Sequence, residues 1–332
     1  RRQRQMCIRD SQKIAEDVCY NLENIPYTSS YTNAAGEQVE DQLQIALTIV
    51  DPTNGYVVAM IGGAGEKVVD RGWNWAVNAR QCGSAIKPVS TYAPALDNGT
   101  INGASVIDDY PMLLNGEVWP RNANWRYQGL TALHTAIAQS LNTCAVRTNL
   151  AYGVSNSYDF LVDKLGFENL TYTDSQQVGN MALGGFEKGV TTEEMSAAYA
   201  AFVNEGVYTK PRTFIRVEDA NGNVVLENEA QSTVAMKNTT AAIINHLLQE
   251  AALNGTGYEA QFSGMHIAGK TGSTNSNKDR YFVGYTPYYS CAVWAGYEHN
   301  QRIVASGNPC SAVFRKVMSA IHADLPDKDF FS

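Results

Sequence analysis

Blocks of apolar and β-branched residues near both ends of the chain predict strands. Residues 43–50 and 56–61 are two such runs. Between them, Asp51-Pro52-Thr53-Asn54-Gly55 has the composition of a turn, so we predict a β-hairpin. Residues 281–285 and 291–297 predict two further strands. The middle of the chain has helical spacing instead, which indicates one sheet built from both ends with a helical block inserted.

Helix boundaries follow from caps and glycine stops. We predict helices over residues 84–97, 131–139, 143–151, 239–253 and 309–323, and mostly helical structure over 154–206. Thr131 is the expected cap of the second helix, and Gly153 is the expected stop of the third. Residues 212–235 predict an exposed hairpin that turns at Asn221-Gly222-Asn223.

The first 38 residues are polar, and we interpret residues 1–38 as a linker or stub with a short helix over 12–23. Met6-Cys7-Ile8-Arg9-Asp10-Ser11 resembles one reading frame of a transposon-end adapter used in sequencing libraries. Our hypothesis is that residues 1–11 are partly an assembly artefact, which a natural gene carrying this hexapeptide in frame would refute. Folded structure is expected from Val39, with a domain over 39–325 and a tail over 326–332.

Composition limits the classes of function. The chain has 332 residues, 44% of them hydrophobic and 17% charged, which suits a folded domain with ample core. Its net charge of −8 argues against nucleic acid as the main partner. The 6 cysteines show no Cys-x-x-Cys pair and no metal-ligand spacing with the 5 histidines. We expect free thiols; Cys291 with Cys310 is the least implausible disulfide.

Candidate chemistry begins at Gly83-Ser84-Ala85-Ile86-Lys87. If a helix opens at Ser84, Lys87 lies on the same face one turn later, within reach of the serine oxygen. Serine needs a neighbouring base, and lysine can serve only if burial or nearby positive charge lowers its pKa. Alone, Ser-x-x-Lys is a weak signal, since a helix cap followed by a solvated lysine gives the same pattern.

Two further stretches strengthen the signal, Ser140-Leu141-Asn142 and Lys270-Thr271-Gly272-Ser273. Positions two apart on a helix point about 200° apart, so Ser140 and Asn142 can share a site only if the helix breaks there. Asn142 is then the expected N-cap of a new helix. These three elements, in this order, resemble the penicillin-binding transpeptidases and the wider serine β-lactamase superfamily.

The resemblance extends beyond the motifs, over about residues 39–325. Arg80-Gln81-Cys82-Gly83-Ser84, Ala182-Leu183-Gly184-Gly185 and Phe282-Val283-Gly284-Tyr285 are similar to the bifunctional, class A type. It implies an α/β (α+β) fold, an antiparallel sheet flanked by helices, with a helical subdomain and a cleft at the junction. Cysteines depart from the family pattern at Cys82, where proline is usual, and at Cys144, so a thiol role near the cleft is conceivable.

The resemblance implies a D,D-transpeptidase that cross-links peptidoglycan stem peptides and is acylated by β-lactams, with no metal or organic cofactor. Its catalytic residues would be Ser84 as nucleophile, Lys87 as base, Ser140 as proton relay, Asn142 as a contact to the peptide and Lys270 as a source of positive field. Thr271 and Ser273 would bind the substrate carboxylate. The N–H groups of Ser84 and Ser273 would form the oxyanion hole. Gly272 would let a substrate strand approach the sheet edge.

Two other classes of function stay open. One is a hydrolase of the same superfamily, a D,D-carboxypeptidase or β-lactamase, which needs a water-activating group that the sequence does not identify. The other is a non-catalytic β-lactam sensor or a cell-wall scaffold. The glycosyltransferase domain of class A proteins is absent from this chain, so we expect a fragment or isolated domain. The missing domain and membrane anchor would precede it, at the outer face of the bacterial cytoplasmic membrane.

Overall fold

The computed structural model describes residues 2–69, 72–114 and 116–331, with side chains from residue 9 onward. The helices are α1 Arg2–Cys19, α2 Ala93–Asp97, α3 Leu133–Ala138, α4 Asn142–Tyr152, α5 Val154–Asp159, α6 Tyr172–Gln176, α7 Val178–Leu183, α8 Thr192–Val203, α9 Asn238–Leu253 and α10 Pro309–Ile321. The strands are β1 Thr28–Thr32, β2 Gln38–Gln42, β3 Gln44–Val50, β4 Val57–Ile61, β5 Val106–Asp109, β6 Leu113–Leu114, β7 Glu117–Val118, β8 Gly129–Ala132, β9 Val207–Thr209, β10 Arg216–Glu218, β11 Val224–Glu227, β12 Ser232–Val234, β13 Ala268–Ser273, β14 Asp279–Tyr285 and β15 Ser290–Gly296.

A five-stranded antiparallel sheet forms the centre, in the order β13-β14-β15-β3-β4. The early hairpin β3–β4 pairs with the last strand, β15, so the sheet is built from both ends of the chain as the sequence predicts. Strand β13 lies at one end of this sheet, which leaves its outer edge unpaired within the sheet.

Alternation along the strands divides the core into two layers. Trp294 and Tyr281 lie in the layer that holds α8, α9 and the helical subdomain. Val293 and Phe282, their neighbours in sequence, lie in the opposite layer with α10 and α1. These two assignments follow from the period of two in a strand, because successive side chains point to opposite faces of the sheet. The antiparallel sheet flanked by helices is therefore confirmed.

The N-terminal region differs from the linker that its composition predicts. Ala15, Cys19 and Ile25 are fully buried in the outer core layer, and β1 pairs with β2 ahead of the main sheet. Ordered structure therefore precedes Val39, because one face of α1 is apolar and covers the sheet. The C-terminal tail is also packed, since the Phe330 ring lies 5.3 Å from the Tyr285 ring.

Two predicted helices take another form. Residues 83–97 are a 3₁₀ turn (Gly83–Ile86), a π-helical segment (Pro88–Tyr92) and α2 rather than one helix. Each proline lies in the first turn of its own segment, where a missing N–H costs least. Thr131 does not cap α3; it belongs to β8, which pairs with β5, and Ala132 is the N-cap.

Other elements match the sequence. Helices α9 and α10 fall where predicted, α4 ends at Gly153, and β10–β11 form the exposed hairpin. The free-thiol prediction is confirmed for the five described cysteines, which are all buried; the Cys7 side chain lies outside the described residues. Cys310 donates to Arg280 O at 3.2 Å and forms no disulfide with Cys291.

Two features are absent from the described part of the chain. There, no cluster of three or more His, Cys, Asp and Glu side chains is arranged to hold a metal ion. None of the helices described is both long and apolar enough to cross a lipid bilayer.

Candidate active site

The turn that carries Ser84 is pressed against the edge strand β13. Gly83 has φ +53°, and a Cβ there would lie 2.4 Å from Ser273 O. A Cβ on Gly272 would lie 2.0 Å from Cys82 O. Both positions therefore exclude a side chain, and the two backbones approach as closely as glycine permits. This contact holds Ser84, which is partly exposed, beside Ser273 on the strand.

Lys87 follows at the end of the same turn, and its side chain is fully buried. Its Nζ donates to Ser140 O at 2.8 Å, to Asn142 Oδ1 at 2.7 Å and to Ser140 Oγ at 3.4 Å. The sequence predicts that this amine comes within reach of Ser84 Oγ. Among the described residues, the hydrogen bonds of this amine go to Ser140 and Asn142. Catalytic hydrogen bonds are often formed only when substrate binds.

The helix breaks at Ser140, as the sequence predicts. Helix α3 ends at Ala138, Ser140 has φ +58°, and α4 begins at Asn142. A positive φ is costly for serine, and such strain is typical of functional sites. The predicted cap is wrong in detail, because Leu141 is the N-cap. The Asn142 side chain is turned to Lys87 instead of capping α4.

Lys270 completes a compact polar cluster. It is fully buried on β13, and its Nζ donates to Ser140 Oγ at 2.8 Å. The Ser140 hydroxyl therefore lies between two amines, one from the Ser84 turn and one from the edge strand. The cluster draws Lys87, Ser140, Asn142 and Lys270 together from positions that are 183 residues apart at most (270 − 87).

Burial controls the protonation of both lysines. Loss of hydration lowers the pKa of Lys87 well below its ordinary value, and the nearby charge of Lys270 lowers it further. Burial also lowers the pKa of Lys270, to about 7. Because two causes lower the pKa of Lys87 and one lowers that of Lys270, we assign the neutral amine to Lys87. A neutral amine next to a serine is a competent base.

The remaining β13 residues occupy two faces. Lys270 and Gly272 point to the Ser84 side, and alternation places Thr271 and Ser273 on the other. Thr271 Oγ1 donates to Thr256 Oγ1 at 2.7 Å, and Ser273 is exposed. Gly272 also leaves room for the Ser84 turn, because a Cβ there would meet Cys82 O. Its predicted role toward a substrate strand stays a prediction.

Sequence reasoning missed the groups that hold Asn142. Its Nδ2 donates to Arg121 O at 2.7 Å, and its backbone N–H donates to Asn122 Oδ1 at 2.8 Å. Thr256, the partner of Thr271, was missed as well. No local signal marks these residues, because loop closure in three dimensions brings them to the site.

The two cysteines near the site are not activated. Cys82 and Cys144 are buried, and burial raises the pKa of both thiols, that of Cys144 to about 11. A thiol at neutral pH is then protonated and a weak nucleophile. Neither cysteine competes with Ser84.

Comparison with known proteins shows the family to which the chain belongs. The family model described as "Penicillin binding protein transpeptidase domain" matches residues 45–319. Penicillin-binding protein 1A of Clostridium perfringens strain 13 is 34% identical over 317 residues, which is 90% of this chain and 46% of that protein. Penicillin-binding protein 1A/1B of Bacillus subtilis is 33% identical over 85% of this chain and 32% of its own length. The chain thus spans less than half of either relative.

Solved structures share the fold. The penicillin-binding protein PonA1 from Mycobacterium tuberculosis superimposes with a TM-score of 0.78 at 22% identity, over 97% of this chain and 85% of that one. PonA1 in complex with penicillin V gives a TM-score of 0.77 at the same 22% identity, with the same 97% and 85% coverage.

Proposed function

This chain belongs to the penicillin-binding protein transpeptidase family, and we propose that it is a peptidoglycan D,D-transpeptidase with Ser84 as its acylated nucleophile. One observation carries the proposal. The Ser140 hydroxyl lies within hydrogen-bonding distance of both Lys87, which directly follows the Ser84 turn, and Lys270. This arrangement supports the roles of base, relay and positive charge for Lys87, Ser140 and Lys270.

Acylation then proceeds by addition followed by elimination. Ser84 Oγ forms a bond to the carbonyl carbon of the penultimate D-Ala while its proton passes to Lys87 Nζ. The C–N bond to the terminal D-Ala breaks as the Ser140 hydroxyl gives its proton to the leaving amine and takes the proton held by Lys87, which becomes neutral again. An amine of a neighbouring stem peptide next attacks the ester carbonyl, the bond to Ser84 Oγ breaks as the cross-link forms, and the proton lost by the amine returns to Ser84 Oγ through Lys87. β-Lactams would acylate the same oxygen.

Substrate binding is assigned to β13 and its unpaired edge. An extended peptide can add to such an edge through backbone hydrogen bonds. Thr271 and Ser273 would bind the terminal carboxylate, near the positive charge of Lys270. The N–H groups of Ser84 and Ser273 would form the oxyanion hole, where loss of one donor typically costs about 10²–10³ in rate. The close contact between Gly83 and Ser273 O supports this pairing.

A hydrolase of the same superfamily is less well supported. Hydrolysis of the acyl-enzyme requires a base that activates water. The three acceptors around Lys87 Nζ within the described chain are a carbonyl, a hydroxyl and an amide oxygen, and none is a carboxylate. We therefore favour a long-lived acyl-enzyme, as a transpeptidase needs.

A scaffold without catalysis is also less well supported. Two buried lysines and a strained Ser140 lower the stability of the fold, and a binding surface needs none of them. Action at the outer face of the bacterial membrane, next to a glycosyltransferase domain and an anchor, remains a proposal about the longer protein.

The test is turnover of a D-Ala-D-Ala peptide or thioester in the presence of an amine acceptor. The proposal predicts a cross-linked product and released D-Ala (or its thiol analogue) with the native chain, and none with Ser84→Ala. Hydrolysed peptide without a cross-link would favour the carboxypeptidase. No turnover, with peptide binding retained, would favour the scaffold.

A further inference from the structure

Asn142 is held by a loop that lies about twenty positions earlier in the chain. The Arg121 carbonyl accepts a hydrogen bond from Asn142 Nδ2, so the amide oxygen must turn the other way, toward Lys87. Asn122 Oδ1 accepts from the Asn142 backbone N–H at 2.8 Å. The dipeptide Arg121-Asn122 thus fixes both the backbone and the amide orientation of Asn142.

The Asn122 side chain is itself held in place by hydrogen bonds to other residues of the protein. It is 3% exposed, and its Nδ2 donates to Asp109 Oδ1 at 2.7 Å and to Arg126 O at 2.9 Å. Asp109 is fully buried at the end of β5. Its Oδ2 accepts from the Gln128 backbone N–H at 2.9 Å, and Oδ1 also accepts from Thr143 Oγ1.

A buried carboxylate is costly unless hydrogen bonds compensate it. The bonds to Asp109 come from the loop (Asn122, Gln128) and from the first turn of α4 (Thr143), where the helix dipole also favours negative charge. Asp109 therefore joins the loop to the start of α4 through the hydrogen bonds of one side chain.

The position of Asn142 also determines how the amine of Lys87, the proposed base, is oriented. A neutral amine has two N–H groups and one lone pair. Lys87 has its two shortest hydrogen bonds to Ser140 O and Asn142 Oδ1. With both N–H groups directed to these oxygens, a neutral Lys87 cannot also donate to Ser140 Oγ at 3.4 Å, and its lone pair is left to accept a proton.

We propose that Asn122 is a positioning residue, anchored by Asp109, that sets the Lys87 lone pair by holding Asn142. This inference rests on the proposed function, since it assumes that Lys87 is the base. Neither Asn122 nor Asp109 contacts the reacting atoms. Their effect on the rate should therefore disappear when Asn142 has no side-chain amide to direct at Lys87.

The experiment measures the single-turnover rate constant for acylation by a fluorescent penicillin. Asn122→Ala should slow acylation about 10- to 100-fold, the range expected for lost hydrogen bonds to a charged group. Asp109→Asn should slow it in the same direction. The matched control is Asn124→Ala in the same loop, whose Oδ1 accepts, among the described residues, from the Arg126 backbone N–H alone. Its rate should stay within about two-fold.

A double-mutant cycle separates positioning from mere stability. In an Asn142→Ala background, Asn122→Ala should change the rate less than about two-fold. Independent, multiplying effects, or an unchanged rate for folded Asn122→Ala, would overturn the inference. If Asn122→Ala fails to fold, Asp109→Asn in the same two backgrounds gives the same decision. Ser84→Ala, which should give no adduct, tests the proposed function separately.

Discussion

The Ser140 hydroxyl lies within hydrogen-bonding distance of two buried lysine amines. Its hydrogen bonds therefore depend on the protonation state of each lysine. In the proposed mechanism Lys87 must be neutral to accept the Ser84 proton, whereas Lys270 acts as a cation. Burial lowers the pKa of both lysines, so it favours a neutral Lys87 and opposes a charged Lys270. The pKa of Lys270, about 7, therefore limits the pH range of activity.

The rate of acylation by penicillin should be bell-shaped in pH. It should rise as Lys87 loses its proton and fall above about pH 7, where Lys270 loses its own. Acylation rate constants from pH 5 to 9 test this. In Lys270→Arg the guanidinium stays charged, so the alkaline decline should vanish. A native rate that keeps rising from pH 7 to 9 would contradict the assignment.

Lys270 should lower the stability of the fold that it serves. In the unfolded chain its pKa is near 10.5, while in the folded protein it is about 7. Between these values the unfolded state binds more protons, so stability rises with pH from about 7 to 10.5. Lys270→Met should therefore raise the free energy of unfolding by about 1–3 kcal/mol at pH 7 and lose acylation.

Urea denaturation at pH 7 and pH 9 measures both effects for Lys270→Met and the native chain. The variant should show a smaller gain in stability with pH. A variant less stable than the native chain at pH 7 would show that Lys270 is a net stabiliser.

At the scale of elements, the contact between the Ser84 turn and β13 determines the site. In Gly272→Ala the new methyl group would meet Cys82 O, which is backbone and cannot move aside easily. We expect the free energy of unfolding to fall by about 1–3 kcal/mol and acylation to slow at least about ten-fold.

Gly103→Ala is the matched control for that substitution. A Cβ at Gly103 would meet only Ile243 Cγ2, at 3.7 Å, an ordinary contact. Its stability and acylation rate should stay close to the native values. Equal effects of the two substitutions would show that close packing at Gly272 is not what positions Ser84.

Much of the element order could be predicted from the sequence, because it depends on local patterns. The β3–β4 hairpin, the break at Ser140 and the end of α4 at Gly153 all carry local signals. The 3₁₀ and π segments around Lys87 could not be predicted, since tertiary packing on β13 selects them over a regular helix.

The candidate site, too, could be predicted only in part from the sequence. The motifs supplied the four clustered polar residues, Lys87, Ser140, Asn142 and Lys270. The residues that hold the site in place could not be predicted from the sequence. Asn122 and Thr256 approach through loops whose paths depend on the whole fold. The close packing of Gly272 against Cys82 O likewise has no local signal in the sequence.

At the scale of the molecule, α1 covers the face of the sheet opposite the helical subdomain. Deleting residues 1–26 would uncover the layer that holds Ala15, Cys19 and Ile25, and should lower the free energy of unfolding by at least about 3 kcal/mol. Deleting only residues 1–10 should change it by less than about 0.5 kcal/mol. Urea denaturation compares the two. Equal losses would place the stabilising contacts before Ser11, against the idea that this segment is an artefact.

The central claim is that Ser84 forms a stable acyl-enzyme. Intact mass after incubation with penicillin V, followed for hours on the native chain and on Ser84→Ala, tests it most directly. We predict an adduct with the mass of the antibiotic on the native chain alone, stable over that time. An adduct that disappears as antibiotic is consumed would indicate a β-lactamase. No adduct on the native chain, or an equal one on Ser84→Ala, would contradict the account.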